Sequence, residues 1–315
     1  MKQYFKLGCA ALTAILVAAC SPVAILNSLV PTEGLVATRN IAYGTLSREM
    51  LDVYVPAVAS AAPLATNGTQ ASVTTKRPVI IFFYGGNWDS GSKDAYLFVA
   101  EALTSKGFIT VIPDYRIYPE VIYPAFLTDG AKAFHWTQTN IEKYGGDVNN
   151  IFVAGHSAGA HIAAMLAFDQ TWLAQQKSDT TAIRGFIGLA GPYDFLPLTS
   201  PRLKEIFPST EIQALSQPIR YARGDAPSSL LLAGDADTIV GVKNTRNFSG
   251  KIRELGGRVL TKYYPGMGHI KIVAALAAPF RDGQTVLEDV AEFVRAESTV
   301  TSGSPSVATA PTKMH

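Results

Sequence analysis

The sequence predicts an α/β protein on a doubly wound, mostly parallel sheet of about eight strands, with helices on both faces. Three observations predict it. Short apolar runs alternate with segments of helical spacing through most of the chain. Most runs are bounded by Gly, Pro, Asp or Asn and are apolar throughout, as suits strands covered on both faces. One run leads through Gly155-His156-Ser157-Ala158-Gly159 straight into an alanine-rich helical stretch.

The chain of 315 residues is 48% hydrophobic and 17% charged, the balance of a globular protein with ample core. Its net charge of +2, without a long Lys/Arg block, gives no surface for nucleic acid. Lys2 and Lys6 precede an apolar run from Leu7 to Ala19 that ends in small residues. Residues 1–19 are therefore expected to be a signal peptide, too short for a stable membrane span. Val17-Ala18-Ala19-Cys20 resembles the bacterial lipobox, which implies a lipidated Cys20, and Ser21 after it favours the outer membrane. The expected protein is thus a lipid-anchored component of the bacterial cell envelope. Cys9 is the only other cysteine and lies in the leader, so neither a disulfide nor a thiolate metal cluster is expected.

Residues 20–35 are expected to form a tether and residues 36–297 one catalytic domain. Val36 to Tyr43 and Met50 to Val55 read as strands, the second as a half-buried edge strand because Leu51-Asp52-Val53 alternates. Pro56 to Lys76 is poor in periodicity and reads as a surface loop. Further strands are expected at Pro78 to Tyr84, Phe108 to Pro113, Asn150 to Gly155, Gly185 to Ala190, Ser228 to Gly234 and Val259 to Tyr264. Helices are expected at Ala95 to Lys106, Ala125 to Tyr144, Ala160 to Gln176, Val242 to Leu255 and Thr285 to Ala296. Pro192 to Asp225 is too long for a simple crossover and suggests a small cap. Residues 298–315 have the composition of a disordered tail.

Strand, tight turn and helix around Ser157 form the context of a nucleophile elbow, whose glycines let strand and helix approach closely. A serine hydroxyl needs a base. Of five histidines, His315 ends the tail, His135 lies in a predicted helix, and His156 belongs to the elbow with its side chain directed away from Ser157. His161 is expected to pack against the sheet. His269, in Gly266-Met267-Gly268-His269 after the last strand, is the candidate base. A carboxylate must orient it. Asp235 and Asp237 both follow the strand ending at Gly234, and Asp194 is a more distant candidate. Gly85 and Gly86 follow the strand ending at Phe83, where glycines leave backbone N–H groups open to a developing negative charge. Gly86 and Ala158 are the candidate oxyanion donors, with Gly85 or Asn87 as a third. No metal-ligand set and no cofactor motif is visible.

Together these residues resemble the α/β-hydrolase group of hormone-sensitive lipase, acetyl esterases and kynurenine formamidase. Tyr43-Gly44, Leu51-Asp52-Val53-Tyr54, Pro113-Asp114-Tyr115-Arg116 and Asp129 extend the resemblance over residues 43–294. It implies an α/β-hydrolase fold and a serine carboxylesterase acting on small acyl esters. It also favours Asp237, since Gly-Asp-Ala-Asp-Thr-Ile-Val matches that group's Gly-x-x-Asp-x-x-Val segment, and leaves Asp235 as a turn residue. Tyr84 departs from it, standing where the group carries a histidine that braces the glycine loop. The rival readings are an amide or aryl-formamide hydrolase on the same residues, and a non-catalytic surface protein that keeps the fold. Oligomeric state is not legible.

Overall fold

The computed structural model describes Asn27, residues 29–57 and residues 76–299. The expected leader, Cys20, most of the 56–76 loop and the tail beyond 299 lie outside the described residues. Eight strands form one sheet in the order β1-β2-β4-β3-β5-β6-β7-β8. They are β1 (Leu35–Ala42), β2 (Met50–Pro56), β3 (Arg77–Phe83), β4 (Ile109–Pro113), β5 (Gly146–His156), β6 (Ile183–Leu189), β7 (Ser228–Gly234) and β8 (Val259–Tyr264). β1 and β2 run antiparallel to their neighbours and the remaining pairings are parallel. This is the α/β-hydrolase fold.

The central strands are buried along their apolar runs and partly exposed only toward their N-terminal ends: Val79 to Phe83, Ile151 to Val153 and Leu230 to Leu232 are at most 2% exposed. The reading of β2 as an edge strand is corrected, since β2 lies between β1 and β4 and β1 is the edge. Its alternation has another cause. Asp52 faces inward, where it pairs with the buried Lys93 at 3.0 Å and accepts from the Tyr54 hydroxyl at 2.9 Å. A polar residue inside a strand marks solvent only when it lacks such a partner.

The helices used below are α1 (Leu97–Ser105), α2 (Ala125–Asn140), α3 (Ala158–Phe168), α4 (Thr171–Gln175), α5 (Pro201–Ile206), α6 (Thr210–Leu215), α7 (Lys243–Glu254), α8 (His269–Ala274) and α9 (Val286–Thr299). The single helix expected over Ala160 to Gln176 breaks in two, because Asp169 turns its carboxylate to the N–H and hydroxyl of Thr171. Midway along the tether expected over residues 20–35, Asn27 Nδ2 donates to the Asp94 carbonyl and Asn27 Oδ1 accepts from Phe98 N–H, and Leu35 belongs to β1. Ser298 and Thr299 belong to α9 and not to the tail. Residues 192–225 carry α5 and α6 and lie over the C-terminal ends of the strands. They are held there by Tyr123 Oη donating to the Leu215 carbonyl (2.9 Å) and by His161 bonding the Ser216 carbonyl (2.7 Å). Parallel strands deliver their following loops to one edge of the sheet, so β3, β5, β7 and β8 bring their ends together there.

Candidate active site

Ser157 stands between β5 and α3 with φ 56° and ψ −123°, a conformation that costs a serine about 1–3 kcal/mol and must be held by its surroundings. The surroundings are backbone. A Cβ on Gly155 would come within 2.4 Å of the Gly159 backbone, and one on Gly159 within 2.0 Å of the Phe83 carbonyl oxygen. Only glycine permits this joint between β3, β5 and α3. Ser157 N–H donates to the Leu189 carbonyl at 3.0 Å, tying the turn to β6 as well.

His269 opens α8, directly after the Gly266 turn. Its Nε2 lies 2.8 Å from Ser157 Oγ and its Nδ1 2.8 Å from Asp237 Oδ2. A carboxylate oxygen only accepts, so Nδ1 carries the proton and Nε2 accepts from the serine hydroxyl. The other Asp237 oxygen accepts from the N–H groups of Ile239 (2.9 Å) and Val240 (2.8 Å), which lock the carboxylate in place. All three residues are buried. The structure thus brings Ser157, His269 and Asp237 into one line. Asp235 stands apart, accepting from Gly266 N–H at 2.7 Å and so shaping the loop that carries His269. Asp194 accepts from Asn247 Nδ2 and does not join them.

The remaining histidines have other partners. His156 Nε2 bonds the His269 carbonyl at 2.9 Å, and the two rings lie 4.8 Å apart. Burial, then the neighbouring His269, push its pKa down to about 3. His161 does not pack against the sheet as expected. It faces the insertion, in a cage of Trp88, Phe126, Phe195 and Phe207, and burial pushes it down to about 4.

The strap after β3 has Gly86 at φ 138°, Asn87 at 55° and Trp88 at 60°. Left-handed conformations at two non-glycine residues are retained only under outside restraint. The Gly86 carbonyl accepts from Asp89 N–H, Ser90 N–H and Ser90 Oγ, which closes the turn. Gly85 is corrected as a candidate donor, because its N–H is spent on the Tyr96 hydroxyl at 3.2 Å. Among the described residues the N–H groups of Gly86, Asn87 and Ala158 make no intramolecular hydrogen bond. Such donors beside a nucleophile can accept a developing oxyanion.

Ser157 opens into a pocket of about 220 Å³. Trp88, Phe195, Leu198, Leu203, Ile239 and Val240 supply its apolar wall. Three of these come from residues 192–225, which motif reading could bound but not resolve. A larger open cavity of about 660 Å³ lies at the opposite, N-terminal ends of β5 to β7. It is lined by paired charges such as Arg258 and Glu297 and by no histidine. Among the described residues no group of three or more His, Cys, Asp or Glu could hold a metal ion.

A family model described as BD-FAE matches residues 69–252, more than half of the chain, spanning Ser157 and Asp237 and stopping before His269. Esterase LipC of Mycobacterium tuberculosis is 28% identical over 251 residues, covering 73% of this chain and 59% of that protein. The chain spans about three-fifths of the length of the curated relatives it matches. Among solved structures, a truncated carbohydrate esterase from gut microbiota superposes with a TM-score of 0.69 at 20% identity, over 86% of this chain and 100% of that one. Propionate-bound esterase 2 of Thermogutta terrifontis gives 0.64 at 23% identity, over 84% and 96%.

Proposed function

The chain belongs to the BD-FAE family of hormone-sensitive-lipase-like α/β-hydrolases, and from that premise we propose that it is a serine carboxylesterase acting on small acyl esters. The observation that carries the proposal is the unbroken line from Ser157 Oγ through His269 to Asp237, next in the fold to three backbone N–H groups left without a hydrogen bond among the described residues. Ser157 Oγ attacks the ester carbonyl carbon as its proton passes to His269 Nε2. The C=O π pair moves to oxygen, and that oxyanion is met by the N–H groups of Gly86, Ala158 and Asn87. Asp237 stabilises the imidazolium without taking its proton. The intermediate then collapses. The C–O bond to the alcohol breaks, His269 returns the proton to the leaving oxygen, and a water molecule activated by the same base releases the acid from Ser157.

The pocket supports the size class. An apolar cavity of ~150 Å³ holds a benzene molecule, so a site of about 220 Å³ suits a short acyl chain or one small ring. Propionate in the Thermogutta terrifontis esterase is in keeping with this. We also propose that the protein is held at the bacterial outer membrane by a lipid on Cys20, on the strength of Val17-Ala18-Ala19-Cys20.

Fluorophosphonate labelling of wild type and Ser157→Ala, with hydrolysis of p-nitrophenyl acetate, octanoate and palmitate and of an aryl formamide, tests the reading. Labelling of the wild type alone, with rates falling as the chain lengthens, is the expected result. An unlabelled, inactive wild type would favour the binding-protein alternative. Preference for aryl formamides over every ester would move the assignment to amide hydrolysis.

A further inference from the structure

The strap from Tyr84 to Gly91 contains three consecutive residues at positive φ, so its shape has to be imposed from outside. One guanidinium supplies several of the ties. Arg48, in the turn between β1 and β2, donates from Nη2 to the Tyr84 hydroxyl (2.8 Å) and to the Gly91 carbonyl (2.8 Å). Its Nε donates to the Tyr115 carbonyl at 2.8 Å. Both ends of the strap are therefore fastened to the segment that follows β4. Tyr115 closes the circuit, its hydroxyl donating to the Tyr84 carbonyl at 2.7 Å. The Tyr84 hydroxyl in turn donates to Asp114 Oδ1 at 2.8 Å, which also accepts from Lys93 N–H. The Tyr84 ring is stacked between Tyr96 and Tyr115, and a Cβ on Gly91 would come within 2.9 Å of that ring.

We propose that Arg48 is a positioning residue for the oxyanion strap, acting through Tyr84 and the Gly91 carbonyl to aim the N–H groups of Gly86 and Asn87. The inference rests on the serine-esterase reading above. Arg48 is not among the residues that line the pocket, so its effect would reach the transition state through the strap. A fixed planar fork that holds three acceptors at once has no equivalent in lysine, whose single ammonium is a point charge on a flexible stem. The β1–β2 turn, otherwise remote from Ser157, thereby becomes part of the catalytic apparatus.

The test compares Arg48→Met, Arg48→Lys and Tyr84→Phe in the full chain. Losing an oxyanion donor outright costs ~10²–10³-fold in kcat, so a loosened strap should cost roughly 10-fold in Arg48→Met and less in Arg48→Lys and Tyr84→Phe. KM for p-nitrophenyl acetate should stay within about twofold, because the oxyanion forms only in the transition state. Affinity for a trifluoromethyl ketone, whose serine adduct carries the oxyanion, should fall by the same factor as kcat/KM. Binding of a non-hydrolysable ether analogue should not change. Unchanged kcat and ketone affinity in Arg48→Met would overturn the inference, as would a fall in both ligands' affinities together. If Arg48→Met does not fold, the same comparison in Arg48→Lys and Tyr84→Phe decides. An active Ser157→Ala would remove the serine reading itself, whereas an inactive one beside an unimpaired Arg48→Met removes this inference alone.

Discussion

Acid should weaken this fold through two histidines that the proposed reaction does not use. His156 and His161 are 2% and 0% exposed. Each gives one ring nitrogen to a backbone carbonyl, and the other has no hydrogen-bond partner among the described residues. Burial pushes the two down to about 3 and about 4, helped at His156 by the adjacent His269. In the unfolded chain a histidine titrates near ~6.5. Above that value both states are neutral and the fold keeps its full stability. As the pH falls from there toward the folded values, the unfolded chain takes up protons that the fold refuses, and stability is lost. At a pH of about 5 the gap is ~1.5 units, or ~2 kcal/mol per histidine and ~4 kcal/mol for the pair. Carboxylates add their own pH dependence, so the measurement is a difference between variants. His161→Gln keeps an amide nitrogen for the Ser216 carbonyl and does not titrate. Urea unfolding of both proteins at neutral and mildly acid pH should show the variant losing ~2 kcal/mol less than the wild type over that interval. Equal losses would refute the reasoning, whatever the variant's stability at neutral pH.

Other outcomes follow from the site. Asp237→Asn should lower kcat by on the order of 10⁴ with the fold intact, while Asp235→Asn should chiefly loosen the Gly266 turn; kinetics with circular dichroism on both would expose a reversed ranking. Gly159→Ala should fail to fold or lose several kcal/mol in urea unfolding, since its Cβ meets the Phe83 carbonyl at 2.0 Å; wild-type stability would contradict the elbow packing. Phe195→Ala should raise kcat/KM for octanoate relative to acetate by enlarging the pocket, and an unchanged ratio would mean that acyl chains bind elsewhere. Cys20→Ser should release active protein from the membrane fraction, and retention there would count against lipidation.

What could be read from the residues was whatever is coded within one short segment. Continuous apolar runs marked buried strands, and Gly-x-Ser-x-Gly marked the elbow, because a parallel sheet and a strained turn each impose a local composition. The errors have a common origin in partners distant along the chain. Asp52 looked like the solvent side of an edge strand because Lys93, which neutralises it, is supplied by the segment after β3. Gly85 looked like an open donor because nothing in Tyr84-Gly85-Gly86 announces that the Tyr96 hydroxyl accepts its N–H. His161 looked like a helix-to-sheet contact until the insertion brought Phe195 and Phe207 to it. Arg48 carried no signal, since its acceptors on Tyr84, Gly91 and Tyr115 are assembled only by the order of strands.

The contact of Gly159 with the end of β3 also bears on how activity should fail under heat. Ser157 and the proposed oxyanion strap meet there through main chain, so neither can drift from the other while β3, β5 and α3 stay joined. A side-chain hinge would allow the two to part gradually, with inactivation preceding any spectroscopic change. A main-chain weld allows no such slack. Turnover of a substrate too small to need the insertion should therefore persist up to the melting transition and vanish with it.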